Sequence, residues 1–351
     1  MSLKKHAWWL ILALAAVAGA IWYRSNVFHQ PAPRDVNVAL VAGGAGPYWQ
    51  LIGNGARAAA EELGVEVQIL APAENENVSQ QTALLKKIDP QKVDGVAISP
   101  LDASGQTPLI NELARDCEVI TFDSDAPDST RLSYIGTSNI QAGERAAKLV
   151  EQALPSGGKV VVVLANLSKD NMIERRSGFD KYFEQLTRLQ PAGDAESAPV
   201  FEIVAHIVDG GSEARCRELV ANALQEHPDL ACLVGMNAQH GAILASILKD
   251  AAKQGQVAIV AFDEEAETLS GIEDGAIYGT VVQDPYRYGY EAVRLLASLA
   301  RGNEVVRPLR GSFSTIGVAT FAVTKDELPE FRRQLAERLN PTAAATSDSP
   351  E

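Results

Sequence analysis

The chain is 351 residues long and carries a formal net charge of −14 at neutral pH. This length favours about two domains, each large enough to bury its own core. An acidic protein repels a phosphate backbone, so the composition argues against a nucleic-acid partner. The three cysteines, Cys117, Cys216 and Cys232, are widely spaced and form no C-x-x-C pair. We expect buried thiols rather than metal ligands or nucleophiles, and neither a metal nor a cofactor.

The first element along the chain is an uncharged apolar run over residues 7–23, preceded by Lys4 and Lys5 and followed by Arg24. The pattern is typical of an export signal, and it orients everything after Arg24 outside the cytoplasm. The run is short for a spanning helix and long for a signal-peptide core. Cleavage and retention as an anchor both stay open, so residues 1–35 are predicted to be a signal peptide or membrane anchor plus a linker.

Strand-like and helix-like segments alternate from Val36 onward. The strand-like segments VNVALVA, VEVQIL, DGVAISP and EVITFD are separated by helical stretches, and after residues 131–139 the pattern restarts with KVVVVL, FEIVAHIV, LACLVG and VAIVAFD. Repeated βαβ units imply a parallel sheet with helices on both faces. The sequence predicts an α/β protein of two Rossmann-like lobes, following an N-terminal apolar helix.

The glycine-rich turn after the first strand, VAGGAGPYWQ, lies where α/β proteins bind phosphates on backbone N–H groups. The dinucleotide fingerprint G-x-G-x-x-G requires a third glycine where Trp49 stands, and the indole obstructs the close approach that the motif permits. The turn instead presents Tyr48 and Trp49 beyond a strand end, as an aromatic surface on which a sugar ring can stack. Which of the two rings stacks on the ligand stays open.

Planar polar side chains follow the other predicted strands at their carboxyl ends, where open α/β sheets bind ligands. These residues are Asp123, Asn166, Asn237, Asp263 and Gln283. Arg175 and Arg176 lie in the first turns of a helix beside the strand end at Asn166. Carboxylates and amides can each fork two hydrogen bonds to neighbouring hydroxyls, and an arginine completes such a set.

Several longer motifs follow one another in order along the chain: GPYW, VDGVAISPLD, VITFDSD, IGTSNIQAGERAA, the R-x-x-G-F of Arg175–Phe179, HPDLACLVGMN, VAIVAFD and DGAIYGTVVQDPYRYGYEAV. In this ordered set the chain resembles the periplasmic sugar-binding proteins of the ribose and galactose type, which are the solute receptors of ABC importers. The resemblance runs from about Val36 to Thr324. It implies the type 1 periplasmic binding fold, with two lobes joined by three hinge crossings.

The resemblance also implies the ligand residues. The family's stacking aromatics fall on Tyr48 and Trp49, and its remaining ligand positions fall on Asp123, Arg175, Asn237, Asp263 and Gln283. It implies a monomer, in the periplasm or on the extracytoplasmic face of the membrane, that captures a small sugar-like ligand between its lobes. The implied partner is an ABC permease in the inner membrane.

Three positions depart from the ribose pattern. Gly46 stands where the family has asparagine, Ser124 stands where it has arginine, and Ala238 follows Asn237 where it has aspartate. Several contacts to ribose hydroxyls would be missing, so these departures bear on the ligand more than on the fold. The chain also lacks the D-x-[DN]-x-[DN]-G calcium loop of galactose-binding relatives.

Two rival functions are weighed against the importer role. If the apolar run at 7–23 is retained, the lobes can act as a membrane-anchored sensor that presents the bound state to a histidine kinase or a chemoreceptor. Catalysis is the other rival, but the five histidines are scattered and neither G-x-S-x-G nor H-E-x-x-H occurs. We therefore expect no catalytic residue and no enzyme.

The predicted division of the chain follows from these assignments. Lobe 1 comprises residues 36–138 and 284–310, lobe 2 comprises residues 139–283 and 311–335, and residues 336–351 form a disordered tail. The hinges are expected near 136–139, near 263–266 or 283–285, and near 311–316, where small residues can absorb a change in backbone dihedrals.

Overall fold

The structure is a computed structural model that describes residues 35–74, 77–167, 170–189, 199–307 and 314–340. The apolar run at 7–23 lies outside these ranges, and so does most of the predicted tail. Within them, none of the helices combines the length and the apolar character needed to cross a bilayer.

Strands and helices alternate along most of the described chain. In chain order they are β1 (Asn37–Val41), α1 (Pro47–Leu63), β2 (Glu66–Leu70), α2 (Val78–Leu85), β3 (Gly95–Ile98), α3 (Ala103–Leu113), β4 (Glu118–Phe122), β5 (Tyr134–Thr137), α4 (Asn139–Ala153), β6 (Gly157–Leu164), α5 (Asp170–Leu189), β7 (Val200–Val208), α6 (Glu213–Glu226), β8 (Leu230–Gly235), α7 (His240–Asp250), β9 (Ala258–Phe262), α8 (Ala266–Glu273), β10 (Gly279–Val282), α9 (Pro285–Ala300), β11 (Thr315–Val318), β12 (Phe321–Thr324) and α10 (Leu328–Leu339).

The strands form two sheets of six, which confirms the predicted α/β architecture of two lobes. The first sheet has the order β11-β5-β4-β3-β1-β2 and is parallel throughout. The second has the order β12-β10-β9-β8-β6-β7 and is parallel except for the antiparallel edge strand β12. We call the units built on these sheets the first lobe and the second lobe.

Each sheet is covered by helices on both faces. In the first sheet, Leu40 and Phe122 belong to the core on one face, and Val41 and Ile98 belong to the core on the other. All four side chains are fully buried. Because both faces of the sheet are buried, the sequences of the strands are continuous apolar runs and do not alternate between apolar and polar residues.

Glycines allow the helices that flank the cleft between the lobes to touch backbone to backbone. In the first lobe a Cβ at Gly55 of α1 would lie 1.9 Å from the carbonyl oxygen of Tyr286 in α9. In the second lobe a Cβ at Gly178 of α5 would lie 2.0 Å from the carbonyl oxygen of Ile140 in α4. The glycine of the R-x-x-G-F motif thus sets the distance between α4 and α5, and so the position of Arg175 one turn earlier.

The chain passes between the lobes three times. It crosses at Ser138, between β5 and α4, and again at Gln283 and Asp284, between β10 and α9. These two crossings agree with the expected ones near 136–139 and 283–285. The alternative at 263–266 is wrong, because β9, α8 and β10 all belong to the second lobe.

The third predicted crossing, near 311–316, is wrong, and so is the assignment of β11 to lobe 2. Strand β11 pairs with β5 in the first sheet, whereas β12 pairs with β10 in the second. The crossing therefore lies at Ala319 and Thr320. The run TIGVATFAVT reads as one strand because its apolar pattern is unbroken, and periodicity carries no information about which sheet a strand joins.

The tail was expected to begin at residue 336, but helix α10 continues to Leu339. Its side chains Phe331 and Leu335 pack against the core of the second lobe, which stabilises the final turns. Residues 341–351 of the expected tail lie outside the described ranges.

Candidate functional site

A cleft of about 790 Å³ opens between the lobes at the carboxyl ends of the strands. It is lined from the first lobe by residues that follow β1 and β4, and from the second lobe by residues that follow β6, β8 and β9 and by the first turns of α5. All seven predicted ligand residues line it: Tyr48, Trp49, Asp123, Arg175, Asn237, Asp263 and Gln283. The structure brings them together, and their role in binding stays a prediction.

The aromatic pair lies on the first turn of α1. The rings of Tyr48 and Trp49 meet edge to face, with centroids 5.3 Å apart, and both side chains are half-buried. Gly43 leaves room for the indole, because a Cβ at this position would lie 2.6 Å from the ring of Trp49. The glycine-rich turn therefore accommodates an aromatic side chain where a nucleotide loop would accommodate a pyrophosphate.

Asp123 is held by several groups of the first lobe. Its carboxylate accepts hydrogen bonds from the hydroxyl of Tyr48 and, at 2.9 Å, from the hydroxyl of Ser99. Burial, and next the charge of Asp123, raise the pKa of the Tyr48 hydroxyl, so this phenol stays protonated and remains a donor. Ser99 was not predicted as a site residue, although its position directly after β3 gives the same strand-end signal as the others.

Asp123 and Asp263 occupy equivalent places in the two lobes. Both are non-glycine residues with a left-handed backbone, with φ of 60° and 63°. The backbone N–H of each donates to the next strand, to Ile135 and Val281 respectively. Each main-chain carbonyl accepts a hydroxyl, from Tyr134 at 2.7 Å and from Thr280 at 2.8 Å. Strained residues that are held this firmly on both sides are typical of ligand sites.

Gln283 connects the lobes through hydrogen bonds at the second crossing. Its amide nitrogen donates to the Asp263 carboxylate at 2.9 Å, and its amide oxygen accepts from the hydroxyl of Tyr288 at 3.1 Å. The Tyr288 hydroxyl is also 2.6 Å from the hydroxyl of Thr137 at the end of β5. A chain of side chains thus runs from the first lobe to the carboxylate of the second.

Arg175 is almost fully buried in the wall of the second lobe. Its Nε donates to the side chain of Asn139 at 3.0 Å, its Nη1 donates to the carbonyl of Met236 at 2.9 Å, and its guanidinium lies 4.6 Å from the ring centroid of Phe262. These contacts orient the guanidinium without an acidic partner among them. Arg176 instead pairs with Asp180 at the surface and does not line the cleft.

Among the described residues of the cleft wall, three buried acceptors have no hydrogen-bond partner. They are the side-chain oxygens Asn171 Oδ1, Asn237 Oδ1 and Glu264 Oε2. Burial, and next the charge of Asp263, raise the pKa of Glu264 to about 8. Native proteins satisfy most buried polar groups, so a concentration of unpaired acceptors in one cleft points to a bound partner. Asn171 and Glu264 were not predicted from the sequence, because Asn171 lies inside α5 and Glu264 follows Asp263, which was already assigned to the end of β9.

One group of potential metal ligands occurs within the described residues. Asp209, Cys216 and His240 are buried in the second lobe with their ligand atoms within 4.8 Å of one another. His240 Nε2 lies 2.9 Å from Asp209, which also accepts the N–H of Gly211 at 2.8 Å. Burial, and next the charge of Asp209, raise the pKa of Cys216 to about 12, so its thiol stays protonated. Asp209 is thus paired with His240 Nε2 and with Gly211, whereas His240 Nδ1 is buried without a hydrogen-bond partner among the described residues.

Two lobes, three crossings and a polar cleft between strand ends define the class of two-lobed binding proteins. Residues 38–304 match the model of a family described as "Periplasmic binding protein domain". Because this match covers more than half of the chain, the chain belongs to the periplasmic binding protein family.

The chain is similar to the ribose import binding protein RbsB of Bacillus subtilis, with 23% identity over 264 residues, which cover 75% of this chain and 81% of the relative. It is also similar to a solved solute-binding protein of an ABC transporter from Burkholderia graminis, in complex with D-arabinose. That similarity has 29% identity, a TM-score of 0.69 and coverage of 85% and 98% of the two chains. A solved XylFII-LytSN complex also matches, at 25% identity, a TM-score of 0.65 and coverage of 84% and 99%.

Proposed function

We propose that this protein is an exported receptor that captures a small sugar-like ligand between its lobes and delivers it to an ABC importer. The observation that carries the proposal is the cleft, in which an aromatic pair faces strand-end carboxylates, amides and one oriented guanidinium. A sugar offers an apolar ring face together with hydroxyls that both donate and accept, and this wall complements both features.

The proposed binding mode divides the work between the lobes. A sugar ring stacks on Tyr48 or Trp49 while Asp123 accepts a hydroxyl from the side of the first lobe. Asn237, Asp263 and Arg175 then engage the remaining hydroxyls from the second lobe. Gln283 is bound to Asp263 at the crossing, so a ligand that orients Asp263 also acts on the hinge. Closure is stabilised only by the difference between the ligand's affinity for the closed form and its affinity for the open form.

Binding of monosaccharides tests the proposal directly. We expect calorimetry to find at least one pentose, hexose, polyol or furanosyl compound that binds with a 1:1 stoichiometry. We expect the variants Trp49→Ala and Asp263→Ala to lose most of that affinity. The control Tyr290→Phe alters a half-buried aromatic of α9 outside the cleft and leaves the affinity unchanged. No binding by any compound of the panel would overturn the sugar receptor.

We assign no chemical step to this cleft. Glycosidases use pairs of carboxyl groups, but the carboxylates of Asp123 and Asp263 each already accept a hydrogen bond from a neighbouring side chain. We propose that they bind hydroxyls and do not act as acid and base. Recovery of the bound sugar unchanged after prolonged incubation is the expected result, and a new product would contradict it.

A second candidate is a membrane-anchored sensor that presents its bound state to a histidine kinase or a chemoreceptor. Two observations favour it: the uncharged apolar run at 7–23, which can serve as an anchor if it is retained, and the similarity to XylFII in its complex with LytSN. Fractionation of the native protein separates the two roles. A soluble periplasmic product trimmed near residue 20 supports the importer role, and a full-length product in the membrane fraction supports the sensor.

A further inference from the structure

The charges that line the cleft are strongly unbalanced. Among the described residues, the lining contains four carboxylates, Asp123, Asp263, Glu264 and Glu265, and a single cationic side chain, that of Arg175. Two of the guanidinium's nitrogens already donate to Asn139 and to a main-chain carbonyl. A wall with this excess of negative charge repels an anionic ligand and attracts a cationic one.

The unpaired hydrogen-bonding groups of the cleft wall also favour a ligand that donates hydrogen bonds. The three buried atoms of the cleft lining without a partner are all oxygens that accept: Asn171 Oδ1, Asn237 Oδ1 and Glu264 Oε2. An amide side chain can turn over and present its nitrogen instead, so the two asparagines are compatible with either kind of ligand group. The raised pKa keeps Glu264 largely protonated near neutral pH in the free protein, and a neighbouring cationic group would favour its ionised form, whose two oxygens can only accept. The wall therefore requires a ligand rich in donors at this position.

Glu264 and Asp263 are neighbours in the chain, and both line the cleft at the end of β9. Asp263 is bonded to Gln283, whereas Glu264 Oε2 is buried and unpaired. Two adjacent carboxylates in a partly desolvated wall are unfavourable unless a cation offsets them. Burial and Asp263 raise the pKa of Glu264, which is consistent with a position that lacks its counter-charge.

We propose that the cleft selects an aminated sugar, with the ammonium group held against the Asp263–Glu264 pair and the ring on the aromatic pair. This inference rests on the proposed sugar-receptor function and names the substrate class of the same cleft. Neutral sugars satisfy the acceptors only with hydroxyls, and sugar acids place a second negative charge against the carboxylates. Glu264 is the specificity-determining residue in this scheme, because Oε2 of its carboxyl group is the buried carboxyl oxygen of the described lining that has no protein partner.

Calorimetry with matched sugars tests the proposal. The probes are glucosamine with glucose and glucuronate, and galactosamine with galactose and galacturonate, each titrated into the full exported chain at neutral pH. We expect at least one aminated sugar to bind about tenfold or more tightly than its neutral parent, since a charge-assisted hydrogen bond contributes at least this factor. The uronates are expected not to bind.

The variant Glu264→Gln keeps the shape of the side chain and removes its ability to ionise against a bound ammonium group. We expect it to lower the affinity for the aminated sugar about tenfold, to that for the neutral parent. Glu267→Gln, at an exposed position on α8 outside the cleft, makes the same replacement and should leave the preference intact. This control separates a specific contact from general attraction by an acidic protein.

The possible outcomes are distinct. If neutral sugars bind and neither aminated sugar binds more tightly than its parent, the inference is wrong while the receptor function stands. If the preference exists but survives in Glu264→Gln, the assignment to Glu264 is wrong. If no sugar of any charge binds, the receptor function itself fails. The comparison of ligands on the unaltered protein decides the first case even if the variant does not fold.

Discussion

Single residues of this cleft are held in place by close contacts and by strain. Gly43 is the clearest example, because its missing side chain is replaced by the indole of Trp49 and by Leu101. Asp123 and Asp263 show the same principle in the backbone, where both adopt a left-handed conformation that hydrogen bonds maintain from either side. The geometry of the cleft is therefore specified residue by residue.

Gly43→Ala should displace Trp49. The new Cβ would lie 2.6 Å from the indole, so the ring must move, at a cost of about 1–3 kcal/mol in the free energy of unfolding. Ligand affinity should fall about tenfold, because the stacking surface moves with it. In a double-mutant cycle with Trp49→Ala, Gly43→Ala should have little further effect on affinity. Additive losses would mean that the glycine acts by another route.

Glu264 should make the unliganded protein pH-sensitive. Its pKa is raised to about 8, and Asp263, Glu265 and Asp284 are the charges that add to the effect of burial. A raised carboxyl pKa means that the folded state binds the extra proton, so this stabilisation is complete below pH 4 and is lost as the pH rises to about 8. Thermal unfolding across this range should show the decline in the native protein and a smaller decline in Glu264→Gln. Identical profiles would contradict the assignment.

At the scale of elements, pairs of helices are joined through glycines on either side of the cleft. Helices α1 and α9 meet at Gly55 and Gly289 in the first lobe, and α4 and α5 meet at Gly143 and Gly178 in the second. In each case the added Cβ would meet a main-chain oxygen within about 2 Å, and a backbone cannot step aside as a side chain can. These contacts position the helix starts that present Trp49 and Arg175.

Gly55→Ala should therefore destabilise the first lobe. The Cβ would lie 1.9 Å from the carbonyl oxygen of Tyr286, so α1 and α9 must separate, at a cost of about 3 kcal/mol. Gly53→Ala on the same helix is the matched control. Its nearest neighbour is a side-chain methyl of Ile69 at 3.3 Å, and the gain in helix propensity of up to about 1 kcal/mol opposes the crowding. Chemical denaturation of both variants measures their free energies of unfolding. Equal values would show that the close contact between α1 and α9 does not contribute to stability.

At the scale of the whole molecule, helix α10 joins the lobes in addition to the three crossings. It packs on the second lobe, while the side chain of Asn54 in α1 donates to the main-chain carbonyls of Arg338 and Leu339 at 2.9 and 3.1 Å. Arg338 also pairs with Asp284, the residue that caps α9, at 3.1 Å. Leu335 and Leu339 line the cleft, so this helix both connects the two lobes and forms part of the cleft wall.

Asn54→Ala should weaken ligand binding without touching the polar residues of the cleft. The contact between Asn54 and α10 exists only when the lobes stand close together, so its loss favours the open form. We expect the affinity to fall about threefold to tenfold, which corresponds to the net free-energy contribution of one or two hydrogen bonds. Small-angle scattering of the unliganded variant should show a larger radius of gyration. The control Glu61→Ala changes an exposed residue of the same helix. An equal effect of this control would show that the contact between Asn54 and α10 does not stabilise the closed form.

The alternation of elements and the glycine-rich turn were enough to predict two α/β lobes and the residues that line the cleft. This success has a physical reason: the fold places every strand end of a parallel sheet at one edge, so residues far apart in the chain share one site by topology. A polar residue directly after an apolar run is therefore readable as a site residue. Asp123, Asn237, Asp263 and Gln283 were found in this way, and Tyr48 and Trp49 were found from the glycine-rich turn.

Only the tertiary structure decided which sheet each late strand joins, where the third crossing lies and that α10 spans the lobes. Residues 315–324 form one apolar pattern, but β11 and β12 pair with strands of different sheets, and strand pairing depends on contacts that no local pattern contains. The surroundings of Asn171 and Glu264 were hidden for the same reason, and so was the contact that Ser99 makes, although Ser99 directly follows β3. Their importance lies in what surrounds each of them, namely the Asp123 carboxylate that Ser99 donates to and the absence of any protein partner for the other two oxygens.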